Sequence, residues 1–223
     1  RHLDTLAELG NEPVDPRVRR RLDTLDHLAT RMRRNAESLL LLGGLQPHRE
    51  PAPPVPLADV VAATIAEFEV YGRVDIPQLD PTYVDGAVVP DLMHVLAELL
   101  ENALAFSPPD RPVEIEGRKG RLGYALAIVD DGVGMTPEEL AWANARLTLQ
   151  DRLAPESSDR LGLFVVGLHA QRLGINVRLI DSPTGGVTAQ LQIDALVRSA
   201  RDVAAAAPRP AAAAAPEQAL AGV

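Results

Sequence analysis

The segment Ile128-Val129-Asp130-Asp131-Gly132-Val133-Gly134-Met135 constrains the fold more than any other part of this chain. The apolar run from Tyr124 to Val129 reads as a strand, and it stops on an acid followed by two glycines one residue apart. An Asp at a strand end can accept a hydrogen bond from an amino group on a buried ligand ring. Glycines beside it let the backbone approach that ligand closely. The same residues also suit an ordinary Asp-Gly turn, so their meaning depends on what accompanies them.

What accompanies them is an α+β pattern. Val113 to Glu116 and Tyr124 to Val129 form a hairpin across Arg118-Lys119-Gly120-Arg121. Val177 to Ile180 and Thr188 to Ile193 form another across Ser182-Pro183-Thr184-Gly185-Gly186. Val74 to Ile76 and Tyr83 to Val88 read as shorter strands. Helices are predicted over Leu57 to Phe68, Pro90 to Phe106 and Leu161 to Leu173. Thr136 to Arg160 is polar and irregular, with helix-forming pieces. Helices beside a mostly antiparallel sheet make an α+β layering. With 46% apolar but only 3% aromatic residues, the core must consist mostly of Leu, Val, Ile and Ala.

Proline and glycine divide the chain. Residues 1–46 read as a helical hairpin whose first arm is cut short. Leu3, Leu6 and Leu9 repeat at helical spacing, and Gly10-Asn11-Glu12-Pro13 breaks them. Asp15 and Pro16 restart a helix as cap and first turn. Leu22, Leu25, Leu28, Met32, Leu39 and Leu42 then mark an apolar stripe that predicts pairing with a second copy. Residues 47–56, with Pro51, Pro53 and Pro54, form a stiff linker. Residues 57–196 are the main domain. Residues 197–223 are an Ala- and Pro-rich tail, expected to be disordered.

Net charge is −9, which argues against the basic footprint of a nucleic-acid-binding surface but does not exclude a local basic patch for phosphates. The absence of cysteine excludes disulfides and thiolate metal sites, and is compatible with a reducing cytoplasm. No apolar run in the sequence approaches the length of a membrane span, so no direct membrane contact is expected.

Three further motifs carry chemistry. In His94-Val95-Leu96-Ala97-Glu98-Leu99-Leu100-Glu101-Asn102-Ala103, Glu98 and Asn102 are four apart and share a helix face. A carboxylate and an amide there suit magnesium and phosphate oxygens, though an amphipathic helix would show the same polar stripe. In Arg160-Leu161-Gly162-Leu163-Phe164-Val165-Val166-Gly167 a small residue opens a helix, where free amides attract phosphate. Gly185-Gly186-Val187-Thr188-Ala189 is a turn before a strand. His94 and Glu98 make only two metal ligands and no site, and His48 and His169 show no partner in the sequence.

The order of these motifs resembles the ATP-binding domain shared by histidine kinases, DNA gyrase, the ninety-kilodalton heat-shock chaperones and the mismatch-repair ATPases. The resemblance covers Leu57 to Ile193. It implies the two-layer α/β sandwich of the Bergerat type, a mixed, mostly antiparallel sheet with helices on one face, and it implies ATP and Mg2+ as ligands. It gives Asn102 the magnesium and Asp130 the adenine amino group, with Gly132 and Gly134 beside it. Gly162 corresponds to the last glycine of the phosphate motif, and Thr188 to the residue that supports the adenine site. Thr136 to Arg160 corresponds to the mobile lid. Three positions depart from the pattern. Ala105 stands where kinases carry Lys, and Arg160 replaces the first glycine of the phosphate motif, where it can either act as a phosphate ligand or weaken binding. Glu98 replaces an Asn and resembles the base of the gyrase-like ATPases.

The helical region around Leu25-Asp26-His27-Leu28-Ala29-Thr30-Arg31 resembles that of actinomycete sensor-kinase-like proteins. It points to His27 as phosphoacceptor, although in kinases that His usually lies on the first arm of the hairpin. This resemblance implies a homodimer, the cytoplasmic portion of a membrane-anchored receptor, and a response regulator or small GTPase-like and roadblock-type partners. Three functions therefore stand side by side: a histidine kinase, an ATP hydrolase or ATP-gated switch using Glu98, and a nucleotide-free interaction module.

Overall fold

The computed structural model describes residues 51–68, 72–121, 123–148, 161–183 and 185–199, Val203, and a discontinuous set of positions between Val18 and Gly43. In chain order the elements are β1 (Val55–Pro56), α1 (Leu57–Ala66), β2 (Val74–Leu79), β3 (Tyr83–Val84), a 3-10 turn (Gly86–Val88), α2 (Val89–Phe106), β4 (Val113–Gly120), β5 (Gly123–Val129), α3 (Pro137–Leu147), α4 (Leu161–Leu173), β6 (Asn176–Asp181), β7 (Val187–Gln192) and β8 (Val197–Arg198).

Five strands form one sheet in the order β2-β4-β5-β7-β6. Only the β2–β4 pair is parallel; the other neighbours are antiparallel. The period-two pattern dictates its two faces. Val113 and Ile115, Tyr124, Leu126 and Ile128, Val177 and Leu179, and Ala189 and Leu191 are buried under the helices. Glu114, Arg178, Gln190 and Gln192 alternate with them and are exposed. The layering is the α+β sandwich expected, with helices on one face. α2 lies across the sheet because Leu92, Val95, Leu96, Leu99, Leu100, Ala103 and Leu104 recur at helical spacing, and all are buried.

The structure moves several boundaries. β2 runs on to Leu79 through Pro77, which an edge strand tolerates, and its register shifts between Asp75 and Gln78. The strand expected over Tyr83 to Val88 ends at Val84, and Asp85 caps the 3-10 turn that follows by accepting the Ala87 amide at 3.1 Å. The last two linker residues and the first two tail residues belong to the domain. β1 and β8 flank β3 in a second, three-stranded sheet, where pairing satisfies backbone groups that an unpaired linker and tail would leave to water.

The largest correction concerns the segment from Thr136 to Arg160. Its first half is not irregular: α3 is an eleven-residue helix. Thr136 Oγ1 accepts the Glu139 amide at 3.2 Å, Glu139 Oε2 accepts the Thr136 amide at 2.8 Å, and Pro137 occupies the first turn. That start signal is legible in Thr136-Pro137-Glu138-Glu139. Residues 149–160 lie outside the described residues.

The described positions from Val18 to Leu40 are helical. Of the apolar stripe, Leu25 and Met32 are exposed, whereas the buried residues described in this segment are the polar Arg34, which pairs with carboxylates of the main domain, and Ser38. The first arm of the expected hairpin lies outside the described residues. Among the described residues no helix is long and apolar enough to cross a membrane.

Candidate nucleotide-binding site

One cavity of about 630 Å³ opens between α2, α3 and the sheet, in the size range of small-molecule sites. α2 presents Leu99, Asn102, Ala103 and Phe106, positions that share a helix face. The end of β5 and the turn after it contribute Ile128, Asp130, Val133, Gly134 and Met135. α3 contributes Glu138, Glu139, Trp142 and Ala143, and Leu163, Leu179, Val187 and Ala189 complete the wall. The wall is apolar apart from Asn102, Asp130 and the two acids of α3. It holds no Lys or Arg among the described residues.

Asp130 is buried, with 8% of its surface exposed. Its Oδ1 accepts the amides of Gly132 at 2.8 Å and Val187 at 3.1 Å, which fix the carboxyl group at the strand end. A fixed, buried acceptor in an apolar cavity suits an amino group on a flat ring. Close approach explains the glycine opposite: a Cβ on Gly186 would stand 2.1 Å from the Asp130 carbonyl oxygen. Gly134 has φ +72°, which only glycine adopts without strain.

The structure brings Asn102, Asp130 and Gly134 into one wall, with Gly132 directly behind Asp130. Thr188 is buried in β7 between Val187 and Ala189, which line the cavity while Thr188 does not. Glu98 lies one turn before Asn102 on α2. A Cβ on Gly162, in the first turn of α4, would stand 3.0 Å from Glu98 Oε2. Glu98 Oε1 also faces Arg34 Nε at 3.2 Å, an ion pair from the N-terminal helical segment. His27 and Arg160 lie outside the described residues.

Sequence reasoning missed Phe106 and Trp142 in the wall. Trp142 follows from the capping signature at Thr136, since the helix it starts carries that side chain toward the cavity. Trp142 also has the Arg146 guanidinium 5.4 Å from its ring centre. The partners of the histidines were equally hidden. His94 Nε2 lies 2.8 Å from Glu37 Oε2, and His169 Nδ1 lies 2.9 Å from Asp91 Oδ1. The two rings stack at 4.8 Å. Burial, then the neighbouring His169, lowers the His94 pKa from its ordinary value, and Glu37 offsets this only in part. Among the described residues no group of three or more His, Asp or Glu could hold a metal by itself.

Comparison with known proteins agrees with this geometry. Residues 87–196 match the family described as histidine kinase-, DNA gyrase B-, and HSP90-like ATPase. The sensor-like histidine kinase SenX3 of Mycobacterium tuberculosis is 30% identical over 144 residues, 64% of this chain and 34% of that protein. The chain thus spans about a third of the length of the curated relatives it resembles in this way. The solved histidine kinase AdeS of Acinetobacter baumannii has the same fold, with a TM-score of 0.54 at 17% identity over 86% of this chain and 92% of that one. A mycobacterial sensor histidine kinase, MprB, gives a TM-score of 0.50 at 21% identity over 62% of this chain and 93% of its own. The acid at the end of β5, the Asn on α2 and the cavity between them thus fall within the matched span, and residues 87–196 are a domain of the histidine kinase-, DNA gyrase B-, and HSP90-like ATPase family, similar to the catalytic core of sensor histidine kinases.

Proposed function

We propose that the cavity binds ATP with magnesium and that the whole protein transfers the γ-phosphate to a histidine, with His27 as acceptor. The observation that carries this reading is the convergence of Asp130, Asn102 and Gly134 on one apolar cavity. Asp130 accepts the adenine amino group. Asn102 supplies one oxygen ligand to the metal. A single protein ligand fits magnesium, which is commonly held by one or two side chains together with substrate phosphates. When bound, the metal neutralises phosphate charge, which matters because the described wall contains acids and no base. Arg160, which lies outside the described residues and immediately precedes α4 in the sequence, serves as a further phosphate contact in this reading. The exposed Ala105 removes one basic contact that kinases of this type carry.

A second reading has its own support. Glu98 lies against the Gly162 backbone at the start of α4, where a carboxylate can take a proton from water as well as from an imidazole. The domain is then an ATP hydrolase or an ATP-gated switch. Dimerisation through the helical segment, an upstream membrane anchor, and a response regulator or GTPase-like partner belong to the kinase reading. The test is incubation with γ-labelled ATP and magnesium, wild type beside His27→Gln and Asp130→Asn. Acid-labile label on the wild type that is lost in both variants supports the kinase. Free phosphate without labelled protein supports the hydrolase, and no nucleotide binding at all overturns both.

A further inference from the structure

The N-terminal helical segment docks on the catalytic domain through charge. Arg34 is buried, with 5% of its surface exposed, and faces three carboxylates. Its Nη1 donates to Glu67 at 3.0 Å, just past the end of α1, and its Nη2 to Glu101 at 2.9 Å on α2. Its Nε lies 3.2 Å from Glu98 Oε1. Glu98, Glu101 and His94 lie on one face of α2, at spacings of four and three residues, and the same helical segment supplies Glu37 to His94. Ser38 Oγ donates to the Arg34 carbonyl at 2.9 Å, within the segment itself.

Two features separate this cluster from an ordinary surface network. One guanidinium fork spans two helices of the catalytic domain, a geometry that lysine cannot reproduce. One of the three carboxylates is also the one whose second oxygen lies against Gly162. The chain of contacts therefore runs from the helical segment, through Arg34 and Glu98, to the first turn of α4.

We infer that Arg34 is a positioning residue for the phosphate end of the nucleotide site: it orients Glu98 toward Gly162 and makes that orientation depend on the docked helical segment. The inference rests on the nucleotide reading above. Without Arg34, Glu98 loses the ion pair that reaches it from the helical segment, and its carboxylate is held less firmly in its place beside Gly162. The adenine end, on Asp130, is untouched.

The experiment compares the wild-type chain with Arg34→Ala, Arg34→Lys and Glu67→Gln. ADP affinity, melting temperature and the rate of γ-phosphate loss from magnesium-ATP are measured for each. For Arg34→Ala the expected result is a kcat at least ~10-fold lower with an ADP Kd within about 2-fold of wild type, the pattern of a group that acts on the reaction and not on ground-state binding. Arg34→Lys restores part of that loss. Glu67→Gln, which loosens Arg34 without touching Glu98, lowers kcat by roughly 2- to 5-fold. If Arg34→Ala fails to fold, the other two variants decide. Lowered melting temperatures with wild-type kcat per folded molecule overturn the inference and leave nucleotide binding standing. A wild type that binds ADP yet never loses γ-phosphate overturns it as well. A wild type that binds no nucleotide overturns the nucleotide reading itself.

Discussion

Asp130 and Val187 hold each other from both sides. The Asp130 amide donates to the Val187 carbonyl at 3.0 Å, and the Val187 amide donates to Asp130 Oδ1 at 3.1 Å. The acid that ends β5 is thereby tied to the first residue of β7 and cannot swing out of the cavity. Oδ2 is the acceptor that remains for a ligand.

Asp130→Asn tests that division of labour. The amide can keep its oxygen on the two backbone donors, so stability falls by only about 1 kcal/mol. The outward acceptor becomes a donor facing an amino group. ATP affinity is expected to fall roughly 100-fold, the scale of an unsatisfied buried polar group. Titration calorimetry checks it, and unchanged affinity would remove Asp130 from the ligand site.

Trp142 is the one tryptophan in the chain and it lines the cavity. Nucleotide binding is expected to change its emission in a saturable way, with the same midpoint as calorimetry. Trp142→Ala should weaken ATP binding by about 1 kcal/mol, as loss of an aromatic wall predicts. An emission spectrum indifferent to saturating ATP would place the nucleotide elsewhere.

Asn144 behaves as an extra strand. Its Nδ2 donates to the carbonyls of Leu140 and Leu179, both at 2.9 Å, and its Oδ1 accepts the Leu179 amide at 2.9 Å. Leu179 lies on β6, the edge of the five-stranded sheet, so the side chain satisfies backbone groups that have no neighbouring strand on that side. Asn144→Ala is expected to cost about 1–3 kcal/mol in urea unfolding. Hydrogen exchange should accelerate first in α3, because this contact anchors that helix to the sheet.

His94 makes stability pH-dependent. Its lowered pKa means that the unfolded chain takes up a proton more readily than the folded one. The contribution is complete above the ordinary value of 6.5 and declines as pH falls through 6.5 toward the folded value. Glu37 favours the charged ring, while burial, His169 and Arg34 disfavour it. The drop in melting temperature from about pH 7.5 to 5.5 should therefore be smaller in His94→Gln than in wild type. An identical drop in both would show that other groups carry the dependence.

The strand-then-acid-then-glycine pattern at Asp130, the polar pair on α2 and the two hairpins could be read from the sequence because each is a local rule. Alternation fixes which strand residues face the helices, and four-residue spacing fixes which helix residues share a face. Glycine marks where a backbone must turn or approach closely. The start of α3 was equally local, in Thr136-Pro137-Glu138-Glu139, and was masked only by the polarity of the segment around it.

Other features were decided by tertiary structure. β1 and β8 are two-residue strands that exist only because β3 lies between them. His169 and Asp91 meet across 78 residues of chain, and Arg34 reaches Glu67 and Glu101 across 33 and 67. No window of sequence contains both partners. Local spacing determined where the catalytic core folds and which acid, amide and glycines face its cavity. Only packing decided that a polar face of the N-terminal helical segment docks on α2, because a buried guanidinium needs its carboxylates gathered around it from separate helices.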